Sequence, residues 1–192
     1  MTEDIQTRKK LLELFCRLAY KSGNFTLSSG QASTYYINGK LVTLDPFGAL
    51  WTGQVLLSML PPETQAVAGL TLGADPIVSA VSVVSAYENR PIPALIVRKQ
   101  AKGHGTAAWI EGPQLPAQAK VVVLEDVVTT GKSAMFAVEK LQEAGYQVEQ
   151  IITLVDRNQG GAEFYAEAGL KFASVFTIAE IQEFASQLKL GN

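Results

Sequence analysis

Residues 121 to 133 read VVVLEDVVTTGKS and combine two groups that could do chemistry, an adjacent pair of acids and a hydroxyl-rich turn. Successive backbone N–H groups in a glycine-containing turn, together with the positive end of a following helix, bind phosphate. The carboxylates of Glu125 and Asp126 would repel that phosphate, unless they accept hydrogen bonds from hydroxyl groups or meet a divalent cation carried by the ligand. A sugar phosphate with a vicinal diol satisfies both requirements.

The Gly-Lys-Ser ending also occurs in the phosphate loop of nucleoside-triphosphate hydrolases. That loop requires a second glycine five positions before Gly131, where this chain has Asp126. A charged side chain at this position would block the backbone cradle, which argues against a triphosphatase. The alternative is a purely structural role, in which the turn only caps a helix and the two acids are solvated residues at a strand end.

A second candidate segment, RKQAKGHG at residues 98 to 105, gathers Arg98, Lys99, Lys102 and His104, the single histidine of the chain. Such a segment is often no more than solvated surface. It could also neutralise the charge that develops on a departing anion such as pyrophosphate and exclude water from the reaction.

The order of apolar runs and turn signals predicts how these segments are positioned. Short apolar strands alternate with helices from residue 66 onward, and continuous runs such as VVVL are typical of a parallel sheet covered on both faces. Asp45-Pro46 and Asp75-Pro76 each predict a helix start. The predicted helices cover residues 5–21, 45–60, 76–87, 133–145 and 179–190, and the predicted strands cover 66–70, 93–98, 120–126 and 151–156, with a hairpin at 25–38.

These patterns predict an α/β fold with a doubly wound, mostly parallel sheet in one domain spanning residues 1–192. A small N-terminal hood, a helix plus a hairpin over residues 1–44, precedes an α/β core at 45–192. Ligands of such sheets bind beyond the carboxyl ends of the strands. We therefore expect the acidic pair, the turn and the basic segment to meet at that edge.

Composition limits the function classes. The formal net charge of −2 and the pI near 5.5 argue against broad nucleic-acid binding, which normally uses a basic face. The longest weakly polar region, around residues 66–87, is interrupted by charged, proline and serine residues, so we expect no membrane span. The single cysteine, Cys16, and the charged start of the chain indicate a reducing, cytoplasmic setting.

The stretch VVVLEDVVTTGKS resembles the phosphoribosyl pyrophosphate signature of the type I phosphoribosyltransferases. Three further stretches resemble the orotate phosphoribosyltransferase family within that group: RKQAKGHG, FTLSSGQASTYYINGK at 25–40 and LVDRN at 154–158. The resemblance spans about residues 20 to 160. It implies that orotate and phosphoribosyl pyrophosphate react to give orotidine 5′-monophosphate and pyrophosphate, with Mg²⁺ carried by the pyrophosphate rather than by a protein site.

Carried over residue by residue, the resemblance assigns three sets of site residues: catalytic residues, orotate contacts and contacts to phosphoribosyl pyrophosphate. Catalytic roles fall to Lys102, His104 and Asp126, and orotate contacts to Thr129 and Arg157. The resemblance also suggests that Tyr35 and Tyr36 lie near the base, and we expect one of the two only to pack. Contacts to phosphoribosyl pyrophosphate fall to Arg98, Lys99, Lys102, His104, Glu125, Asp126, Val127, Val128, Thr129, Thr130, Gly131, Lys132 and Ser133.

Arg157 suits orotate because a planar guanidinium can grip a carboxylate through two hydrogen bonds. A structural ion pair with a nearby acid is the alternative role for this residue. The resemblance also implies a homodimer in which the basic loop, residues 98–112, is shared between subunits.

The chain departs from part of the family at two points, since Ser28 and Gly73 stand where some members carry lysines. Pyrophosphate could instead lie against backbone N–H groups of residues 72–75, at the start of a helix capped by Asp75. Two alternative functions stay open, a purine phosphoribosyltransferase and a nucleotide-sensing regulator built on the same fold.

Overall fold

The computed structural model of the chain describes residues 2–26, 32–101 and 109–190. Helices and strands alternate along these residues, with a π-helical turn at Phe15–Ala19 between the first helix and the first strand. The strands are β1 (Tyr20–Thr26), β2 (Ala32–Ile37), β3 (Ala66–Leu70), β4 (Ala94–Val97), β5 (Ile110–Glu111), β6 (Lys120–Val128), β7 (Gln147–Asp156) and β8 (Lys171–Thr177). The α-helices are α1 (Thr2–Leu14), α2 (Lys40–Thr43), α3 (Pro46–Met59), α4 (Asp75–Tyr87), α5 (Lys132–Glu143), α6 (Gly161–Glu167) and α7 (Ile178–Leu190).

The main sheet has the order β5-β4-β3-β6-β7-β8, and all its strands are parallel except β5, which pairs antiparallel with β4. The order reverses between β3 and β6, which are neighbours in the sheet although β4 and β5 separate them along the chain. This mostly parallel α/β sheet confirms the predicted fold class. Strands β1 and β2 form a separate antiparallel hairpin.

Side chains that alternate along β6 build a core on each face of the sheet. Val122 and Leu124 pack in a cluster with residues of α1, α3, α4 and α7, whereas Val121 and Val123 pack in a second cluster with residues of α5. Such alternation is the geometry of any strand, because successive side chains point to opposite faces. The predicted burial on both faces is therefore confirmed.

The two aspartate-proline starts behave differently. At α3 the prediction is confirmed, since Asp45 Oδ1 accepts hydrogen bonds from the backbone N–H groups of Phe47 and Gly48 at 3.0 and 2.9 Å. At α4 the predicted cap is wrong, because Ala74 is the N-cap. The Asp75 carboxylate instead accepts a hydrogen bond from the Thr71 hydroxyl at 2.8 Å, which ties the loop after β3 to the helix.

Several predicted boundaries were also wrong. The first α-helix ends at Leu14 rather than at residue 21, β6 continues to Val128 and β7 begins at Gln147. The turn of the predicted hairpin, residues 27–31, lies outside the described residues. Strand β5, helix α6 and strand β8 were not predicted, because the first two are too short for a periodic pattern and β8 has no continuous apolar run.

The apolar face predicted for α3 is only partly covered. Val55 is buried and Trp51 is half-buried, but Phe47 and Leu50 are exposed to 62% and 44%. None of the helices in the described ranges combines the length and hydropathy that crossing a bilayer requires.

Candidate functional site

Three adjacent strands, β3, β6 and β7, end at the same edge of the sheet and deliver the candidate residues there. The end of β6 is joined to the residue after β7 by a hydrogen bond from the Arg157 N–H to the Val128 carbonyl, at 3.0 Å. The loop after β3 lies against the same edge, since a Cβ added at Gly73 would come within 2.7 Å of Asp126 Oδ1. The edge therefore brings together segments that are far apart in the sequence.

The turn after β6 has the form expected of a phosphate site. Gly131 adopts a φ of +84° as the N-cap of α5, and no side chain caps the helix. Tyr165 of α6 supports the turn from below, donating a hydrogen bond from its hydroxyl to the Gly131 carbonyl at 3.1 Å. A small cavity of about 90 Å³ lies at this helix end. It is lined by Glu125, Val127, Val128, Thr129, Thr130, Gly131, Lys132, Ser133, Ala134 and Tyr165.

The two acids of the pair lie close together but border different segments of the chain. Both residues lie within β6, as predicted, and the strand continues two residues beyond Asp126, to Val128. Glu125 lines the phosphate-type cavity, and Asp126 approaches Gly39 and Gly73. Besides burial, the charge and the side chain of Asp126 both raise the pKa of Glu125, so the two carboxyls lie close to each other.

Glu125 is 6% exposed, and its Oε2 atom has no hydrogen-bond partner among the described residues. Burial, followed by the negative charge of Asp126, raises the pKa of Glu125 well above its ordinary value, and the positive charge of Lys99 opposes the rise only in part. Burial and the charge of Glu125 also raise the pKa of Tyr165, so its hydroxyl keeps its proton. A protonated Glu125 can donate as well as accept a hydrogen bond.

The Glu125→Gln variant should show a different dependence of stability on pH from the unchanged protein. Between the ordinary glutamate pKa of about 4.3 and the raised value, the folded chain holds a proton that the unfolded chain has released. This contribution to stability is complete below the ordinary pKa and is lost as pH rises through the raised one. As the pH is raised from about 4 to about 9, the melting temperature of Glu125→Gln should rise relative to that of the unchanged protein. A constant difference across that range would contradict the raised pKa.

Arg157 lies beside the turn, at the start of the loop after β7, and contacts the hairpin. Its Nε donates to the Tyr35 hydroxyl at 2.9 Å, and its guanidinium carbon lies 4.9 Å from the centre of the Tyr35 ring. Tyr35 is held in turn by stacking on Tyr20 of β1. The Nη2 atom of Arg157 is buried without a hydrogen-bond partner in the described part of the chain. None of the described ion pairs supports the alternative of a structural partner acid.

The structure describes the two ends of the basic segment, up to residue 101 and from residue 109. The Arg98 N–H bonds to the Trp109 carbonyl at 2.8 Å, and the Arg98 guanidinium bonds to Glu111 at 3.0 Å and to the Gln100 carbonyl. These bonds join the two ends of the segment. Trp109 packs edge-on against Phe136 of α5, which fixes the second end to the helix that carries the turn. Lys102 and His104 lie outside the described residues.

Positions 72–75 are less open to an anion than predicted. The Ala74 N–H is already bonded to the Leu70 carbonyl at 3.2 Å, and Asp75 is not the helix cap. The Thr71–Leu72 peptide bond in this loop is cis.

Two residues at the site were missed from the sequence. Tyr165 lies in the short helix α6, for which no element was predicted, and Lys40 opens another short helix, α2. The Lys40 ammonium lies 3.6 Å from Asp126 Oδ2. The only advance signal for Lys40 was its position at the end of FTLSSGQASTYYINGK.

Comparison with known proteins extends over nearly the whole chain. No family model matches it. An orotate phosphoribosyltransferase of Nostoc sp. is 70% identical over 188 residues, covering 97% of this chain and 91% of that protein, and one of Synechocystis sp. is 66% identical, covering 95% and 92%. The crystal structure of Mycobacterium tuberculosis orotate phosphoribosyltransferase with 5-phospho-α-D-ribosyl 1-diphosphate is similar at a TM-score of 0.77 and 35% identity, covering 92% of this chain and 99% of that one.

Proposed function

The chain belongs to the orotate phosphoribosyltransferase family, and on this premise we propose that it acts at the carboxyl edge of its sheet, around β3, β6 and β7. The family reaction transfers ribose 5-phosphate from phosphoribosyl pyrophosphate to N1 of orotate. It gives orotidine 5′-monophosphate and pyrophosphate, a step of de novo pyrimidine synthesis.

One observation carries the assignment of orotate to this site. Arg157 Nη2 is buried without a partner, while Nε of the same guanidinium is held by Tyr35. A buried donor without a partner costs free energy, so it is typical of a site completed by a ligand. The carboxylate of orotate is an acceptor of the right charge, and we assign it to Arg157. Thr129, at the start of the adjacent turn, is the second proposed orotate contact.

The 5′-phosphate is assigned to the cavity at the start of α5, with donors from residues 129–133. Support comes from the uncapped helix end and from the φ of Gly131, which turns the chain into the helix. Glu125 lines this cavity and the adjacent carboxyl of Asp126 borders Gly39 and Gly73, so the two carboxyls would hold the ribose hydroxyls together.

In the proposed reaction, positive charge develops on the ribose ring as pyrophosphate leaves, and N1 of orotate then captures the ring carbon. The nearby carboxylate of Asp126 would stabilise that charge, which gives it a catalytic role. Arg98, Lys99, Lys102 and His104 are assigned to the leaving pyrophosphate. Of these, Arg98 is paired with Glu111 in the free protein and would have to exchange that partner for the ligand.

The oxygen donors at the edge fit Mg²⁺. Mg²⁺ usually binds through one or two carboxylates together with substrate phosphates, rather than in a cage made by the protein alone. The described residues hold no cluster of three or more acidic, histidine or cysteine ligands, and Asp126 offers a partly exposed carboxylate. When bound with the diphosphate, the ion would neutralise charge on the leaving group. The ion would be carried by the diphosphate, as the resemblance implies, and Asp126 is the side chain whose carboxylate would face it.

The two alternatives have less support. A purine base has no carboxylate for Arg157, and relatives up to 70% identical are named for orotate. A nucleotide-sensing regulator that binds RNA or DNA would need a basic surface, which the net charge of −2 does not favour.

The reaction is tested by the loss of orotate's ultraviolet absorbance after mixing the protein with phosphoribosyl pyrophosphate and Mg²⁺. Adenine, hypoxanthine and uracil serve as parallel substrates, and a chelator serves as the metal control. Turnover of orotate alone, abolished by the chelator, is the expected result. Turnover of a purine, or of no base at all, would overturn the proposed function.

We also propose a homodimer, with the basic loop 98–112 shared between subunits. Support comes from an uncovered apolar surface on α3, α4 and the chain between α2 and α3. Leu44, Phe47 and Val83 are exposed to 70%, 62% and 58%, and Leu44 and Val83 line one groove together with Leu50. Apolar surface of this kind is typical of subunit interfaces.

A charge in this groove should separate the subunits. Light scattering should give twice 20.7 kDa for the unchanged protein and about 20.7 kDa for Val83→Asp. The melting temperature should fall if the dimer contributes to stability. Val83→Ser, which brings no charge, is the matched control and should remain largely dimeric. A dimer that withstands the aspartate would place the interface elsewhere.

A further inference from the structure

Lys40 is the first residue of α2, the short helix that follows the hairpin. Its ammonium lies 3.6 Å from Asp126 Oδ2, and the lysine side chain is 46% exposed against 13% for that of Asp126. The charged end of Lys40 therefore lies at the mouth of the proposed site rather than within the core.

Two glycines, which carry no side chain, border Asp126. A Cβ added at Gly73 would lie 2.7 Å from Asp126 Oδ1, and one added at Gly39 would lie 3.5 Å from Asp126 Cβ. Residues 71–74, Thr-Leu-Gly-Ala, bring no charge to this side of Asp126. Within the described ranges, Lys40 is the cation that forms an ion pair with Asp126.

This ion pair is poorly suited to a structural role. Charge-assisted hydrogen bonds are usually about 2.7–2.9 Å long, so 3.6 Å is a loose contact. Half-exposed pairs of this kind add little to stability. An anion with several charged oxygens would compete well for the ammonium.

Building on the proposed function, we infer that Lys40 is a substrate-binding residue that leaves Asp126 for the diphosphate of phosphoribosyl pyrophosphate. The exchange has two effects. It adds a positive charge on the side of Asp126 where residues 71–74 supply none, and it frees the Asp126 carboxylate to accept a hydrogen bond from a ribose hydroxyl. Substrate arrival thereby prepares the carboxylate that the reaction uses.

The Lys40→Ala variant tests the inference by the effects on the two substrates. Its KM for phosphoribosyl pyrophosphate should rise by roughly 10- to 100-fold, the range expected for a lost hydrogen bond to a charged group. Its KM for orotate should change less than about twofold, since Arg157 is intact. Lys40→Arg keeps the charge and should recover most of the loss.

Lys171→Ala is the matched control, because Lys171 is exposed at the amino end of β8, at the opposite edge of the sheet. It removes the same charge and should leave both KM values unchanged. An unchanged KM for phosphoribosyl pyrophosphate in Lys40→Ala, or an equal change in Lys171→Ala, would overturn the inference.

Calorimetric affinity for phosphoribosyl pyrophosphate with Mg²⁺ separates this inference from the proposed function. Turnover of orotate by the unchanged protein tests the function, whereas the loss of affinity in Lys40→Ala tests Lys40 alone. Equal affinities in the two proteins would overturn the role of Lys40 even where turnover is normal.

Discussion

Arg157→Ala should lower kcat/KM for orotate by about 100-fold or more, the largest effect expected for one base-binding residue. Removing one partner of a desolvated, hydrogen-bonded charge pair costs about 2–5 kcal/mol, and the orotate carboxylate would lose its partner. The KM for phosphoribosyl pyrophosphate should change little, because the phosphate turn is a separate segment. Steady-state kinetics with each substrate varied in turn measure both values.

Two controls distinguish recognition from general damage. Arg157→Lys keeps the charge without the planar fork and should be intermediate. Tyr35→Phe removes the hydroxyl that holds Nε at 2.9 Å but leaves the stacked ring, so its effect should be a few-fold at most. The melting temperature of Arg157→Ala should fall only modestly, since the contacts with Tyr35 are lost but Nη2 has no partner to lose. An unchanged orotate KM in Arg157→Ala would show that orotate does not bind at Arg157.

Gly131→Ala should raise the KM for phosphoribosyl pyrophosphate by about 100-fold, the combined loss of two or more charge-assisted hydrogen bonds. The φ of +84° disfavours any side chain, and the new Cβ would lie 2.8 Å from Cε1 and 2.9 Å from Cζ of Tyr165. Either the ring or the turn must move, and the N–H groups of the turn lose their alignment on the phosphate.

Gly145→Ala is the control for backbone strain. Gly145 follows the other end of α5 with a φ of +88°, and nothing lies within 4 Å of an added Cβ. Both variants place a side chain at a residue with a positive φ, but only Gly131 lies in the proposed phosphate site. Gly145→Ala should therefore lower the melting temperature alone, while Gly131→Ala also loses affinity. A normal KM for the Gly131 variant would show that the turn does not bind the 5′-phosphate.

The sequence was sufficient for the parallel α/β sheet and for the position of the phosphate-type turn. Both depend on local signals, namely continuous apolar runs and glycine-containing turns. Boundaries that depend on pairing were not predicted, because Gln147–Gln150 join β7 only through register with β6 and β8. Short elements such as α6 give no periodic signal.

The surroundings of the acidic pair were predicted only in part, because the strand was expected to end at residue 126 but continues to Val128. The ion pair of Lys40 and the support from Tyr165 could not be predicted, since each joins segments that are distant in sequence. Local patterns carry no information about such contacts.

The strand order also determines when the site can form as the chain leaves the ribosome. Strand β3 is fully buried and has β4 on one side, but its other neighbour, β6, begins only at Lys120. Until that residue is made, one edge of an apolar strand stays unpaired and open to wrong partners. The phosphate turn and Arg157 come later still, so no nascent chain that ends before Arg157 carries the set of groups assigned to the two substrates. Substrate can therefore stabilise the fold only after that residue is made.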